Sequence, residues 1–216
     1  MSDDIEPVPP ESHEVGAHIP RRTLIGMITA GVMTPSLSID AATPLPSPSS
    51  SFRKHNMSNI DHRLSHLGIT LPRPWTLPPG LTVPASLVRV RGKRVLVSGH
   101  VPINTDGSIA GPFGRVGAEI SPEQGQQAAR LALLGILASL KQKLGDLDRI
   151  AAWLRVYGMI APAPGFTAFP LLMNGASSLI QLVFGPEIGD HARVAVGVGA
   201  LPFNVPVEIE AEVELV

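Results

Sequence analysis

Between Val207 and Leu215 the chain reads VEIEAEVEL, with four glutamates alternating without a break against valine, isoleucine, alanine and leucine. Successive side chains of a strand point to opposite faces, so this segment reads as a strand with one face for a core and one lined with carboxylates. Helices must cover the apolar face, and the upstream sequence supplies them. LVRVR and RVLVSG alternate on either side of Gly92-Lys93, which predicts a hairpin over residues 87–99. The glycine-rich stretch INTDGSIAGPFGRVGAE reads as a long loop or a loose ribbon. Ser121-Pro122-Glu123-Gln124 then opens a helix, with serine as N-cap, proline in the first turn and glutamine at the reciprocal capping position. That helix runs to about Leu144 and stops at Gly145; its apolar residues nearly encircle it, which predicts burial against a sheet and a neighbouring subunit. RIAAWLRVYGMI is a strand broken by Pro162 and Pro164-Gly165. A second helix starts near Pro170, carries Leu172, Ala176, Leu179 and Val183 along one face, and ends at Gly185-Pro186. RVAVGVGA and PVEIEAEVEL flank the turn LPFNV and are expected to pair as a local antiparallel hairpin. The result is an α+β fold with two helices on one face of a sheet.

A chain of 216 residues, 44% hydrophobic, has the length for one well-buried domain and an appendage. Residues 1–56, rich in Pro, Ser and Thr, read as a disordered extension, and Met57 reads as an independent start, leaving 57–216 as the folded domain. Within the extension, RRTLIGMITAGVM resembles a weak twin-arginine export signal. Five acidic residues precede the arginines and SIDAAT is a poor cleavage site, so a cytoplasmic location is expected. A net charge of −1 and 4% aromatics provide neither a positive field nor stacking rings, so no nucleic-acid partner is expected. The absence of cysteine excludes disulfides, thiolate metal sites and a cysteine nucleophile. The most continuous apolar run, LALLGILASL, is about half the length needed to cross a bilayer.

Taken one at a time, the polar residues have plain readings. Arg193 is an ion-pair arginine at a surface or interface, Ser98 ends a strand, Asn174 caps or buttresses a helix turn, and His100 and His191 are packing or surface histidines. His62 and His66 have the four-residue spacing of metal ligands on a helix, but no glutamate follows the first and no third ligand is near. GPFGRVG lacks the lysine-serine ending of a phosphate cradle.

In combination they say more. VLVSGH, SPEQG, LGDLDRI, PGF, MNGASSL, and Arg193 followed by ALPFNVPVEIEAEVE occur in that order and resemble the RidA/YjgF family of imine deaminases over roughly Leu71 to Val216. The resemblance implies a chorismate-mutase-like fold, a mixed sheet with two helices on one face, and a homotrimer with carboxylate-binding clefts between subunits. It also implies hydrolysis of reactive imines and enamines such as 2-aminoacrylate to 2-oxo acids and ammonia, without cofactor or metal. Carried over by position, Arg193 pairs with the substrate carboxylate, for which its planar fork is suited. Glu208 positions or activates water; Glu210, Glu212 and Glu214 remain a solvated face. Ser98 and Gly99 contribute a hydroxyl and a backbone group, Asn174 lies at the start of the second helix, and Ala195 offers its carbonyl where the family often has cysteine. Two positions depart from the pattern: Ala85 stands where a tyrosine is frequent, and His100 replaces a glutamine. Two other functions compete, a non-catalytic ligand-binding or chaperone-like trimer using the same arginine, and an endoribonuclease, against which the charge balance weighs. In the expected hairpin, Arg193 and Glu208 sit at opposite ends, roughly 16 to 20 Å apart. A shared cleft would then draw them from adjacent subunits.

Overall fold

A computed structural model of the chain describes residues 59–216; the expected extension over residues 1–56 lies outside the described residues. The elements in order are α1 (Asn59–His66), β1 (Val88–Arg91), β2 (Arg94–His100), α2 (Pro122–Leu144), β3 (Ile150–Ile160), α3 (Phe169–Ile188), β4 (Ala192–Gly197) and β5 (Val207–Leu215). The strands form one mixed sheet in the order β1-β2-β5-β3-β4, in which only β3 and β4 run parallel.

The expected hairpin between the last two strands does not form. β4 lies parallel to β3, with Val156 beside Arg193, while β5 enters between β2 and β3. The cause is α3, a helical crossover that returns the chain beside the strand it left, which forces parallel pairing. The LPFNV segment is therefore a bridge over the sheet end and not a hairpin turn, with Phe203 and Asn204 at φ 57° and 56° turning the chain. β5 is the strand that most needs two neighbours, since Val207, Ile209 and Val213 are completely buried on its apolar side.

α2 begins as its sequence specifies. Ser121 accepts from the Gln124 amide and the Gln124 side chain accepts from the Ser121 amide, and Gly145 ends the helix at φ 79°. Its apolar girdle is used within this chain: Leu133, Ile136, Leu137 and Leu140 are fully buried in the common core with the sheet and α3. Leu131 and Leu134 on the same helix are half-buried. The Gly185-Pro186 break in α3 is present, with Gly185 at φ 80° and one further turn after it. The third helix, α1, docks through Asp148, whose carboxylate accepts the Asn59 and Ile60 amides at 2.7 and 2.9 Å. Among the described residues no helix is long and apolar enough to cross a membrane.

Among the described residues no helix covers the opposite face of the sheet. The β5 glutamates lie on it, with Leu96 46% and Val194 38% exposed. Arg94 pairs there with Glu212, and the Arg155 guanidinium lies 5.3 Å from the Tyr157 ring centre.

α2 and α3 cross in contact at Gly175, where an added Cβ would lie 2.0 Å from the Gln126 carbonyl oxygen. Backbone cannot swing aside as a side chain can. Gly175→Ala is expected to lower unfolding stability by about 1–3 kcal/mol through overpacking, measured by urea denaturation.

Candidate active site

The sheet topology sorts the candidate residues into two groups, one on each face. Arg193 lies beside Val156, which pairs with Ala211 on the core face, so the arginine points toward α3. Glu208 pairs with Met159 on the uncovered face. Register places them about 14 Å apart, three residues along and two strands across, but the decisive fact is the sheet between them. Within one chain no small molecule can touch both.

The arginine is held by three bonds from the start of α3. Nη1 donates to Asn174 Oδ1 and to Ser177 Oγ, and Nη2 donates to the Pro170 carbonyl, each at 3.0 Å. Asn174 thus acts through Arg193, with its Oδ1 fixing the guanidinium. Nε–H and one Nη2–H bond no acceptor among the described residues. These two donors are left for the oxygens of a carboxylate. Ser177 was missed in the sequence, although it lies one helical turn after Asn174 on the same face. Its hydroxyl is placed in turn by His191: Nδ1 lies 2.7 Å from the Gly189 carbonyl and donates to it, and Nε2 lies 2.9 Å from Ser177 Oγ. Ala195 follows Arg193 on the same side of the edge strand β4.

The second group sits at a β-bulge. Between the pairs Val97–Ala211 and His100–Ile209, Ser98 and Gly99 together face the single residue Glu210. Bulges of this kind re-aim side chains beside functional sites. The Ser98 hydroxyl donates to the Ser86 carbonyl at 2.8 Å. Gly99 is required by Glu208: a Cβ there would lie 1.9 Å from Oε1 and 2.8 Å from Cδ, so the carboxyl rests directly on the glycine backbone. Burial, with a smaller contribution from the charge of Glu210, holds the Glu208 pKa above the ordinary carboxyl value. Glu208, Ser98 and Gly99 line a cleft of about 320 Å³ with Ala85 at its edge and Trp75 and Phe203 in its wall. Trp75 belongs to the proline-rich segment before β1, whose mixture of Pro, Trp and Leu was the available sign that it packs.

His100 is outside this cleft. It is completely buried between β2 and α2, with Nδ1 on the Ser98 carbonyl at 2.7 Å and Nε2 on Ser139 Oγ at 2.8 Å. Burial depresses its pKa and favours the neutral ring. Among the described residues no cluster of three His, Cys, Asp or Glu side chains is arranged to hold a metal.

Residues 62–213 match the family described as "YjgF/chorismate_mutase-like, putative endoribonuclease". The chain belongs to this RidA/YjgF family. The protein TCP17 of Trypanosoma cruzi is 42% identical over 124 residues, 57% of this chain and 76% of that protein. The crystal structure of Atu1372 from Agrobacterium tumefaciens, a protein of unknown function, is 39% identical with a TM-score of 0.63, covering 72% of this chain and 91% of that one. A second, a "putative endoribonuclease" from Shewanella oneidensis, is 28% identical with a TM-score of 0.66, covering 73% and 100% respectively. Membership of this family accounts for the mixed sheet with helices on one face.

Because its pKa is raised in the fold, Glu208 binds a proton more tightly in the folded than in the unfolded chain, and stability falls as pH rises above the unfolded-state value. Glu208→Gln removes that decline. Its urea midpoint should exceed that of the wild type at about pH 7 and converge with it below about pH 4.

Proposed function

We propose that the protein hydrolyses reactive imines and enamines of the 2-aminoacrylate type to 2-oxo acids and ammonia, in clefts formed between subunits of a homotrimer. The observation that carries this reading is the separation of Arg193 and Glu208 on opposite faces of one sheet. An arginine with two unused N–H donors and a carboxyl drawn toward neutrality are each half of a site for a small carboxylate. A neighbouring copy brings the halves together. Leu96 and Val194, exposed on the uncovered face, are apolar surface that association would bury.

In such a cleft Arg193 binds the substrate carboxylate through Nε and Nη2. The enamine takes a proton from solvent on its terminal carbon and becomes the iminium ion. Water adds to the iminium carbon as Glu208 accepts one of its protons; Glu208 returns that proton to the carbinolamine nitrogen, the C–N bond breaks as the hydroxyl oxygen forms the carbonyl, and the hydroxyl proton passes to the departing ammonia, so that ammonium and the 2-oxo acid leave. A carboxyl with a raised pKa suits both transfers near neutral pH. The chemistry needs no redox change and no group beyond water. The endoribonuclease reading attached to the family finds less support, since the chain has a net charge of −1 and the cleft beside Glu208 is mainly apolar.

Ammonia release from a 2-aminoacrylate-generating reaction tests the proposal; no acceleration over buffer would refute it. Glu208→Gln should lower kcat by on the order of 10²–10⁴. Arg193→Ala should weaken binding of a small carboxylate by on the order of 10- to 100-fold, and Arg193→Lys should restore little of it. Mixing inactive Arg193→Ala and Glu208→Ala proteins under subunit exchange should restore activity at about a quarter of the interfaces, because those alone regain both residues. Mixed assemblies that form and stay inactive would exclude a shared site.

A further inference from the structure

The cleft beside Glu208 is built mostly of apolar side chains. Trp75, Leu77, Leu81, Val83 and Phe203 form its walls, while its polar side chains are Glu208, Ser86 and Ser98. The hydroxyl of Ser98 is already bonded to Ser86. Leu81, Val83 and Phe203 are 43%, 46% and 37% exposed, large apolar groups left open to solvent at one place. A contiguous apolar concavity with few polar groups marks a ligand site rather than ordinary surface.

The wall is also stiff before any ligand arrives. Residues 72–86 carry Pro72, Pro74, Pro78, Pro79 and Pro84, each with a fixed φ. The Arg73 amide ties the segment to the Thr105 carbonyl at 3.0 Å. The Trp75 ring lies between those of His100 and Phe203, at 6.1 and 6.5 Å between centres. Ala85, exposed at the cleft edge, leaves the space in front of this wall open. A preformed apolar wall offers a methylene-bearing substrate such as 2-aminoacrylate almost no contact, and offers a larger side chain a great deal.

We infer that this cleft is a side-chain subsite, and that the protein prefers substrates carrying a bulky apolar group, the 2-imino acids of branched and aromatic amino acids. The inference rests on the proposed deaminase reading for its carboxylate and imine, and on the cleft for its side chain. Glu208 places the reacting carbon, and the apolar group packs against Val83, Leu81 and Trp75 of the same cleft.

Binding of the corresponding 2-oxo acids to the full chain tests the subsite without requiring turnover. Titration calorimetry with pyruvate, 4-methyl-2-oxopentanoate and phenylpyruvate is expected to show the two larger acids binding tighter than pyruvate by on the order of 50-fold, at about fourfold per buried methylene. Ala85→Tyr, which adds a ring at an exposed edge position, should abolish or invert that preference. Val83→Ser should weaken the larger acids by a greater factor than it weakens pyruvate. Equal affinities, tighter pyruvate binding, or a preference that survives Ala85→Tyr would overturn the subsite. So would a Val83→Ser change that alters the oligomeric state and not the affinity ratio, since another copy of the chain would then occupy the wall. Turnover of imines generated from alanine, leucine and phenylalanine by an amino-acid oxidase separates the two claims. Size preference in binding without imine hydrolysis overturns the deaminase reading alone, and hydrolysis without size preference overturns the subsite alone.

Discussion

The position of β5 between β2 and β3 is the constraint on which the rest of the molecule depends. One side of that strand supplies the apolar floor against which α2 and α3 pack, and the other supplies a row of carboxylates. Any one-residue slip would bury the glutamates and expose the core residues, a cost no local interaction offsets, so the register is strongly specified. Glu208 is aimed by this register, and Gly99 on the adjacent strand leaves the space its carboxyl occupies.

Each half of the candidate site is held by regular structure. Asn174, Ser177 and the Pro170 carbonyl fix the Arg193 guanidinium from the first three turns of α3. A bulge and a glycine fix the other half. Groups held this way lose little further freedom when a ligand binds. His191 belongs to the same arrangement, since its tautomer decides which lone pair Ser177 can offer the arginine.

Much of this was legible in the sequence because it is encoded locally. The α2 boundaries follow from Ser121, Gln124 and Gly145, and the β1–β2 hairpin from two alternating runs about Gly92-Lys93. The ordered motifs pointed to the RidA/YjgF family, and the family match agrees. The role of LGDLDRI was not legible: Asp146 caps the short turn that follows it, and Asp148 caps α1 from 88 residues away. Ser177 and Trp75 were missed for the same reason, since nothing adjacent to them in the chain reveals what they touch.

The sequence by itself determined which face of β5 meets a core, where α2 starts and stops, and which family the order of motifs belongs to. These are short-range properties, set by side-chain period, capping and turn chemistry. Which strands become neighbours was decided only by the tertiary structure. RVAVG and VEIEAEVEL look like a hairpin because they are close in sequence, yet the α3 crossover takes β4 to the far edge of β3 and leaves the central gap for β5. Strand pairing is a competition among long-range partners for buried surface. Its outcome put Arg193 and Glu208 on opposite faces of one sheet, a fact that no spacing along the chain contains.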